Sequence, residues 1–407
     1  MSKKFSISMA VIAITALILP GTALISKAES GSGSARRKIV VFKSGIHENE
    51  KDTLIAHSRG LKEKDLDFIN AKAVSLPDDD SEKALKNNPS VLRVEDDVIV
   101  EALDREEKSF ANNRSAQTNA TATAQVLPWG IDRIDAELVW SGGNTADPVK
   151  VAVIDTGISR NHPDLKANIK GGVNIINPLK SSDDDNGHGS HVAGIIAALN
   201  NGLGVVGAGP AADLYAVKVL NRNGSGLLSD VISGIQWSVA NGMKVVNMSL
   251  GTSQDIQSMH DAVIAAHNAG VIVVAAAGNS GGAVIFPAAY PEAIAVGATD
   301  KNNLIASFSS RGPEVDLVAP GVSIFSTYKG TNYATLSGTS MAAPHVAGSA
   351  ALVLNTAVGA YDANANGVWD PLEVQKKLQD RATDLGASGF DNLYGWGLVN
   401  AYSTVQP

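Results

Sequence analysis

The sequence predicts an α/β protein: a doubly wound, mainly parallel sheet flanked by helices, preceded by a small α+β domain. Three observations lead there. From about residue 125 onward, unbroken Val/Ile/Ala runs alternate with helical patterns, the mark of strands buried on both faces. Glycine is frequent (39 residues) and aromatics are few (5%), which suits tight turns and close backbone packing. Residues 37–103, by contrast, intersperse short strands with short charged helices. The 407 residues leave room for two or three domains. A net charge of −8 gives no basic footprint for nucleic acid. The absence of cysteine removes disulfides, thiolate zinc sites and thiol catalysis together.

Residues 1–28 read as a secretory signal peptide. Lys3 and Lys4 precede an apolar run to Leu19, Pro20 and Gly21 break it, and Ser26-Lys27-Ala28 offers a cleavage site. The run is short for a membrane span, so a secreted, extracellular protein with no later membrane attachment is expected. Residues 29–36 are a polar linker. Within 37–103, "KIVVFK", "AKAVSL" and "VLRVEDDVIVEA" read as strands, with "ENEKDTLIAHSRG" and "DSEKALKNN" as helices between them: a small open-faced sandwich. Residues 104–124 lack apolar periodicity and form a linker or extension. In 125–407 the strands are "VKVAVIDTG", "LYAVKVL", "KVVNMSL", "VIVVAAAG", "AIAVGAT" and "DLVAP". The carboxyl ends of parallel strands carry sites, so the polar residues there are the candidates.

"DDDNGHGSHVAG", residues 183–194, holds His188 and His191 three positions apart. The spacing alone admits a metal pair or a catalytic base beside a structural neighbour, and a zinc site needs further ligands. Asp155 ends "VAVIDTG", His188 precedes an apolar helix, and Ser340 lies in "LSGTSMAAPHVAG" at a loop-to-helix junction. A serine hydroxyl becomes a nucleophile when an imidazole takes its proton and a carboxylate holds that imidazole. Asn279, in "VVAAAGNSG", has a side-chain amide able to meet a developing oxyanion beside the Ser340 N–H.

"VIDTG", "HGSHVAG", "AAAGN" and "GTSMAAPHVAG", in that order, resemble the subtilisin-like serine proteases over nearly all of 125–407. The resemblance implies a serine endopeptidase with Asp155, His188 and Ser340 as its triad, Asn279 at the oxyanion and His191 as a packed neighbour. It further implies that Ser249, Leu250 and Gly251 pair with an extended peptide opposite Gly224 and Gly226. Leu220, Leu228, Val231 and Leu250 would line an apolar pocket four residues before the scissile bond. Ile285 stands where relatives often carry a small residue at the floor of the primary pocket. Residues 37–103 resemble the inhibitory propeptide of that family, with Val100-Glu101-Ala102-Leu103 as its tail in the cleft and autoprocessing as its fate. Protein and peptide substrates, this propeptide, and a monomeric state complete the expected partners.

Calcium is expected at two places. By resemblance, Gln125, Asp164 and Asn201 side chains with the carbonyls of Leu199, Leu203 and Val205 form a tight site of hard oxygen donors. Independently, "DANANGVWDPLE" places Asp362, Asn364, Asn366, Gly367, Asp370 and Glu373 at positions one, three, five, six, nine and twelve of a calcium loop, with Val368 offering its carbonyl. An Asn-rich turn with a helix cap is the alternative there. Two other readings of the whole chain are, first, a calcium-dependent binding protein or an inactive protease homologue and, second, a zinc enzyme. The full set of Asp155, His188, Ser340 and Asn279 argues against the first.

Overall fold

The computed structural model describes residues 36–103 and 124–407; the leader reading and the two connecting segments, 1–35 and 104–123, lie outside the described residues. The N-terminal block runs β1 (Arg36–Phe42), α1 (Glu48–His57), β2 (Leu61–Leu66), β3 (Ala71–Leu76), α2 (Asp79–Lys86) and β4 (Val91–Asp96), so Arg36 belongs to a strand rather than to the linker. Its antiparallel sheet has the order β2-β3-β1-β4. Alternation along β1 explains its burial on both sides. Val40 and Phe42 join Ile55, Val74 and Leu85 under α1 and α2. Ile39 and Val41 face the other way, into the larger domain.

Two sequence readings change here. β2, "LKEKDL", was not expected, because five of its six side chains are solvated to some degree and only Leu66 is buried. It is an edge strand, where charge discourages further pairing. "VLRVEDDVIVEA" is two strands, β4 and β5 (Ile99–Ala102), broken where Asp97 turns away toward the large domain. There Asp97 accepts from Ser229 N and Oγ, both at 2.8 Å.

The large domain is built on a seven-stranded sheet, wholly parallel: β6 (Lys150–Asp155), β7 (Ile169–Asn174), β8 (Asp213–Lys218), β10 (Val245–Met248), β12 (Ile272–Ala276), β13 (Ala293–Thr299) and β14 (Leu317–Pro320), in the order β14-β13-β12-β10-β6-β8-β7. Short segments β9 (Ser225–Leu227) and β11 (Leu250–Gly251) stand apart from it. β7, "IKGGVN", escapes a search for apolar runs; its Gly171 lies against the Tyr215 ring of β8, where a Cβ would come within 3.1 Å. Two short helices, α3 (Trp129–Arg133) and α4 (Ala136–Trp140), open the domain. α5 (His188–Ala197) and α8 (Thr339–Leu354) share one core cluster. α6 (Leu228–Ala240) and α7 (Gln257–Asn268) share the other, with the propeptide-like sheet packed on them. α5 is buried along its whole length and α8 from Thr339 to Val353, as expected of helices apolar all round. A hairpin, β15 (Ile324–Thr327) and β16 (Tyr333–Leu336), and α9 (Pro371–Asp380) complete the frame.

The chain lays β7 and β8 on one side of β6, then crosses to lay β10, β12 and β13 on the other. Such a reversal opens a crevice at the carboxyl ends of the strands, here between β6 and β10.

Candidate active site

Asp155 is the last residue of β6 and is fully buried; His188 is the first of α5 and 1% exposed. The His188 Nδ1 lies 2.8 and 2.9 Å from the two Asp155 oxygens. Gly187 lets α5 begin there: its φ is +125°, and a Cβ would fall 2.3 Å from the Tyr328 ring. Beneath the histidine, Asp184 gathers five donors: Thr156 Oγ1, Ser190 Oγ, and the N–H groups of Asn186, Gly187 and Ser190, at 2.6 to 3.0 Å. Burial pushes its carboxyl above the usual carboxylate range, against the lowering effect of those donors. Asp184 and Thr156 thus tie the end of β6 to the start of α5. Sequence reasoning missed both; an acidic residue four before a helix-starting histidine was the available signal.

Ser340 is the second residue of α8 and is fully buried. Pro344, four residues on, has no N–H for the Ser340 carbonyl. That oxygen accepts instead from Ser249 Oγ at 3.0 Å, and Asn247 Nδ2 donates to Ser249 Oγ at 2.9 Å. The Ser340 hydroxyl donates to the Ser249 carbonyl at 3.1 Å. Asn279 lies three residues beyond β12. Its Oδ1 accepts from Thr339 N and Oγ1, both at 2.9 Å, which directs Nδ2 outward.

A strand of the chain itself occupies this cleft. β5 pairs antiparallel with β9 on one side, Val100 opposite Gly226, and with β11 on the other, Ala102 opposite Leu250. Ala102 N donates to Gly224 O at 2.8 Å, and Leu103 N to Ser249 O at 3.1 Å. The Leu103 carbonyl accepts from Asn279 Nδ2 at 2.5 Å. Val100 is fully buried in the cluster that contains Leu220, Leu228, Val231 and Leu250. Leu103 borders a cleft of about 450 Å³ together with Gly251, Asn279, Ser280 and Ile285. A Cβ on Gly251 would sit 2.7 Å from Ile285 Cδ1, so Ile285 narrows that cleft from beside the glycine. The arrangement holds the Leu103 carbonyl on the Asn279 amide, and the Leu103 N–H shares the Ser249 carbonyl with the Ser340 hydroxyl.

The Subtilase family, peptidase S8, matches residues 146–397. The chain belongs to the subtilase family. It is similar to Subtilisin Savinase of Lederbergia lenta (52% identical over 284 residues, 70% of this chain and 100% of that one). It is likewise similar to an alkaline protease of Shouchella clausii (41% over 410 residues, 97% and 98%) and to Subtilisin E of Bacillus subtilis strain 168 (41% over 418 residues, all of both chains). This subtilase is therefore a serine endopeptidase.

His191 is bonded to the β15–β16 hairpin. It is wholly buried, with Nε2 3.1 Å from the carbonyls of Ile324 and Ala334, one on each strand. Burial lowers its pKa to about 3.

The expected calcium donors of this subtilase gather at two places. At the first, Asp164 is fully buried and accepts from Val205 N at 2.9 Å, Tyr333 OH at 2.8 Å and Asn201 Nδ2 at 3.2 Å. The Gln125 amide lies 2.8 Å from Leu199 O and 3.2 Å from Val205 O. Leu203 is on the exposed side and donates its N–H to Asn201 Oδ1. Here the amide nitrogens of Gln125 and Asn201 face the carbonyls and the carboxylate, while Gln125 Oε1 accepts from Gly202 N at 3.1 Å; the oxygens these residues carry are of the type a hard cation takes. At the second, Asp362 Oδ1 and Asn364 Oδ1 share the Asn366 N–H, and Asn364 Nδ2 reaches Asp370 Oδ2 at 2.8 Å. Gly367 takes the φ of +75° that the turn needs, and Asn366 Oδ1 accepts from Val368 N. Glu373 accepts from Ala363 N and Asp370 N and forms a capping box with Asp370 at the start of α9. Elsewhere among the described residues, Glu48, Asp65 and Asp67 bring oxygens within 4.8 Å of one another. Lys72, 1% exposed, already pairs with Glu48 and Asp65, so these carboxylates serve as its counter-ions.

Proposed function

We propose that this subtilase is a secreted, calcium-stabilised endopeptidase that cuts through Asp155, His188 and Ser340, and that residues 37–103 are its propeptide, severed after Leu103. The observation that carries the reading is the position of the Leu103 carbonyl, on Asn279 Nδ2 and at the end of a strand held between β9 and β11. Ser340 Oγ would attack the carbonyl carbon while His188 Nε2 takes the hydroxyl proton. Asp155, against Nδ1, holds the ring and stabilises the imidazolium. The oxyanion would form toward Asn279 Nδ2, which already donates to the Leu103 carbonyl, and toward the Ser340 N–H. Collapse breaks the C–N bond after Leu103, and the departing amine takes the proton from His188. Water then attacks the ester by the same steps in reverse, freeing Ser340 and a Leu103 carboxylate.

Substrates would bind as β5 does, by adding a strand between β9 and β11. The pockets favour an apolar residue before the scissile bond, as at Leu103, and another at the position of Val100. A small residue suits the position of Ala102, whose Cβ lies 3.5 Å from where a Gly224 Cβ would be. Calcium would be held at Gln125, Asp164, Leu199, Asn201, Leu203 and Val205, and in the loop through Asp362, Asn364, Asn366, Val368, Asp370 and Glu373. There it would neutralise carboxylates and fix loops. The test uses a serine-directed phosphonate and a chromogenic Val-Glu-Ala-Leu peptide. The reagent should label Ser340 alone and stop hydrolysis of the peptide. Labelling elsewhere with hydrolysis retained would overturn the assignment.

A further inference from the structure

Five lysines among the described residues are less than a tenth exposed: Lys38, Lys51, Lys72, Lys218 and Lys377. Four pair with carboxylates: Lys38 with Glu82 and Asp96, Lys51 with Glu48, Lys72 with Glu48, Asp52 and Asp65, and Lys218 with Asp185. Lys377, 4% exposed, has no ion pair among the described residues. Its ammonium donates to Gln406 O at 2.7 Å and lies 4.5 Å from the centre of the Tyr361 ring. A covered cation is costly unless paired, and one carbonyl and one ring face do not neutralise it. Burial and the nearby Arg381 hold it below the ordinary lysine value, against a smaller opposing pull from Asp380.

Lys377 lines a cavity of about 710 Å³ between α9, the segment after α8 and the last residues of the chain. That volume lies within the range of small-molecule sites. Val358, Tyr361 and Val405 give it apolar walls. Of the other cations at its edge, Lys376 pairs with Asp380, and Arg381, nearer to solvent, bonds the main-chain oxygen of Pro407. Lys377 is thus the buried cation among the lining residues. The cavity lies beyond the C-terminal end of α8, whereas Ser340 is at the other end. The helix continues for fourteen residues beyond Ser340, to Leu354, a rise of roughly 21 Å, so the cavity is no part of the peptide cleft.

We propose that this cavity binds a small amphipathic carboxylate, its head on Lys377 and its apolar body against Val358, Tyr361 and Val405. The ligand supplies the counter-ion that the fold omits. Two sources share this chemistry, a free aliphatic acid and the carboxyl end of a peptide ending in an apolar residue.

Calorimetric titration of the full chain carrying Ser340→Ala, which prevents self-digestion, tests the site. Octanoate should bind one per chain, and octan-1-ol about tenfold or more weaker, since a charge-assisted bond is missing. Lys377→Met should weaken octanoate to the same degree, and Ala360→Phe, which fills the cavity without touching the charge, should also remove binding. The Tyr361–Trp369 pair, 6.1 Å between ring centres, supplies a fluorescence signal in parallel. N-acetyl-leucine binding more tightly than octanoate would assign the site to peptide ends, the reverse order to free acids. No binding of either at millimolar concentration, or octanoate binding unchanged by both Lys377→Met and Ala360→Phe, would overturn the proposal.

Discussion

Replacing His191 by glutamine measures how much acid sensitivity resides in one buried imidazole. His191 is wholly buried, donates through Nε2, and has no hydrogen-bond partner at Nδ1. Protonation would bury a second N–H without an acceptor, and burial accordingly lowers the pKa from 6.5 to about 3. The unfolded chain is then the better proton binder between those values. The stabilisation is complete above pH 6.5 and drains away as the pH falls toward 3. Each pH unit in that interval costs up to about 1.4 kcal/mol, so the descent from pH 6.5 to 4 removes roughly 3 kcal/mol. His345, fully buried with a pKa lowered to about 4, acts in the same direction. Urea unfolding of the Ser340→Ala chain at pH 7, 6, 5 and 4.5, with and without His191→Gln, reads the effect. Glutamine keeps one donor and cannot charge. The variant should lose about 1–3 kcal/mol at pH 7 yet show a pH slope shallower by about one proton. Equal slopes in the two proteins would refute the argument, because the imidazole would then not be the group that titrates.

Other perturbations separate the remaining roles. Asn279→Ala should lower kcat by about ten- to a hundredfold and change KM little, since its amide meets charge that appears in the transition state; a change confined to KM would make it a binding residue only. Ser249→Ala leaves the Ser340 carbonyl without its donor but keeps the main-chain carbonyl that binds substrate, so kcat should fall about tenfold at nearly constant KM. Asp362→Ala with Glu373→Ala should lower thermal tolerance in calcium and leave kcat at moderate temperature nearly intact. With free calcium at 100 times Kd, the loop would contribute about 2.7 kcal/mol, and calorimetry that finds the same number of bound ions as in wild type would reduce it to a capped turn.

Much of the frame was legible because it repeats along the chain. β6, β8, β10, β12, β13 and β14 are apolar runs, and such runs declare buried parallel strands without help from distant residues. β2 and β7 were not legible, since one is charged and the other carries adjacent glycines; only their neighbours, β3 and β8, make them strands. The residues of the cleft were visible through four ordered motifs, but what orients them was not. Asp184 matters through five donors, and Asn247 through a hydroxyl two residues on that reaches a carbonyl across the fold. No local pattern records such contacts. Pro344 inside α8 was readable, whereas the carbonyl it frees finds its donor in tertiary structure alone.

The central claim is that Ser340 cuts the chain after Leu103 while β5 lies in the cleft. Intact mass and N-terminal sequencing of the purified full chain, free of other proteases, test it most directly. The wild-type protein should yield a fragment ending at Leu103 and a new N-terminus at Asp104, before any trimming within 104–124. The Ser340→Ala chain should stay whole at that bond. Cleavage of purified Ser340→Ala between Leu103 and Asp104, at the wild-type rate, would contradict both the nucleophile and the self-processing.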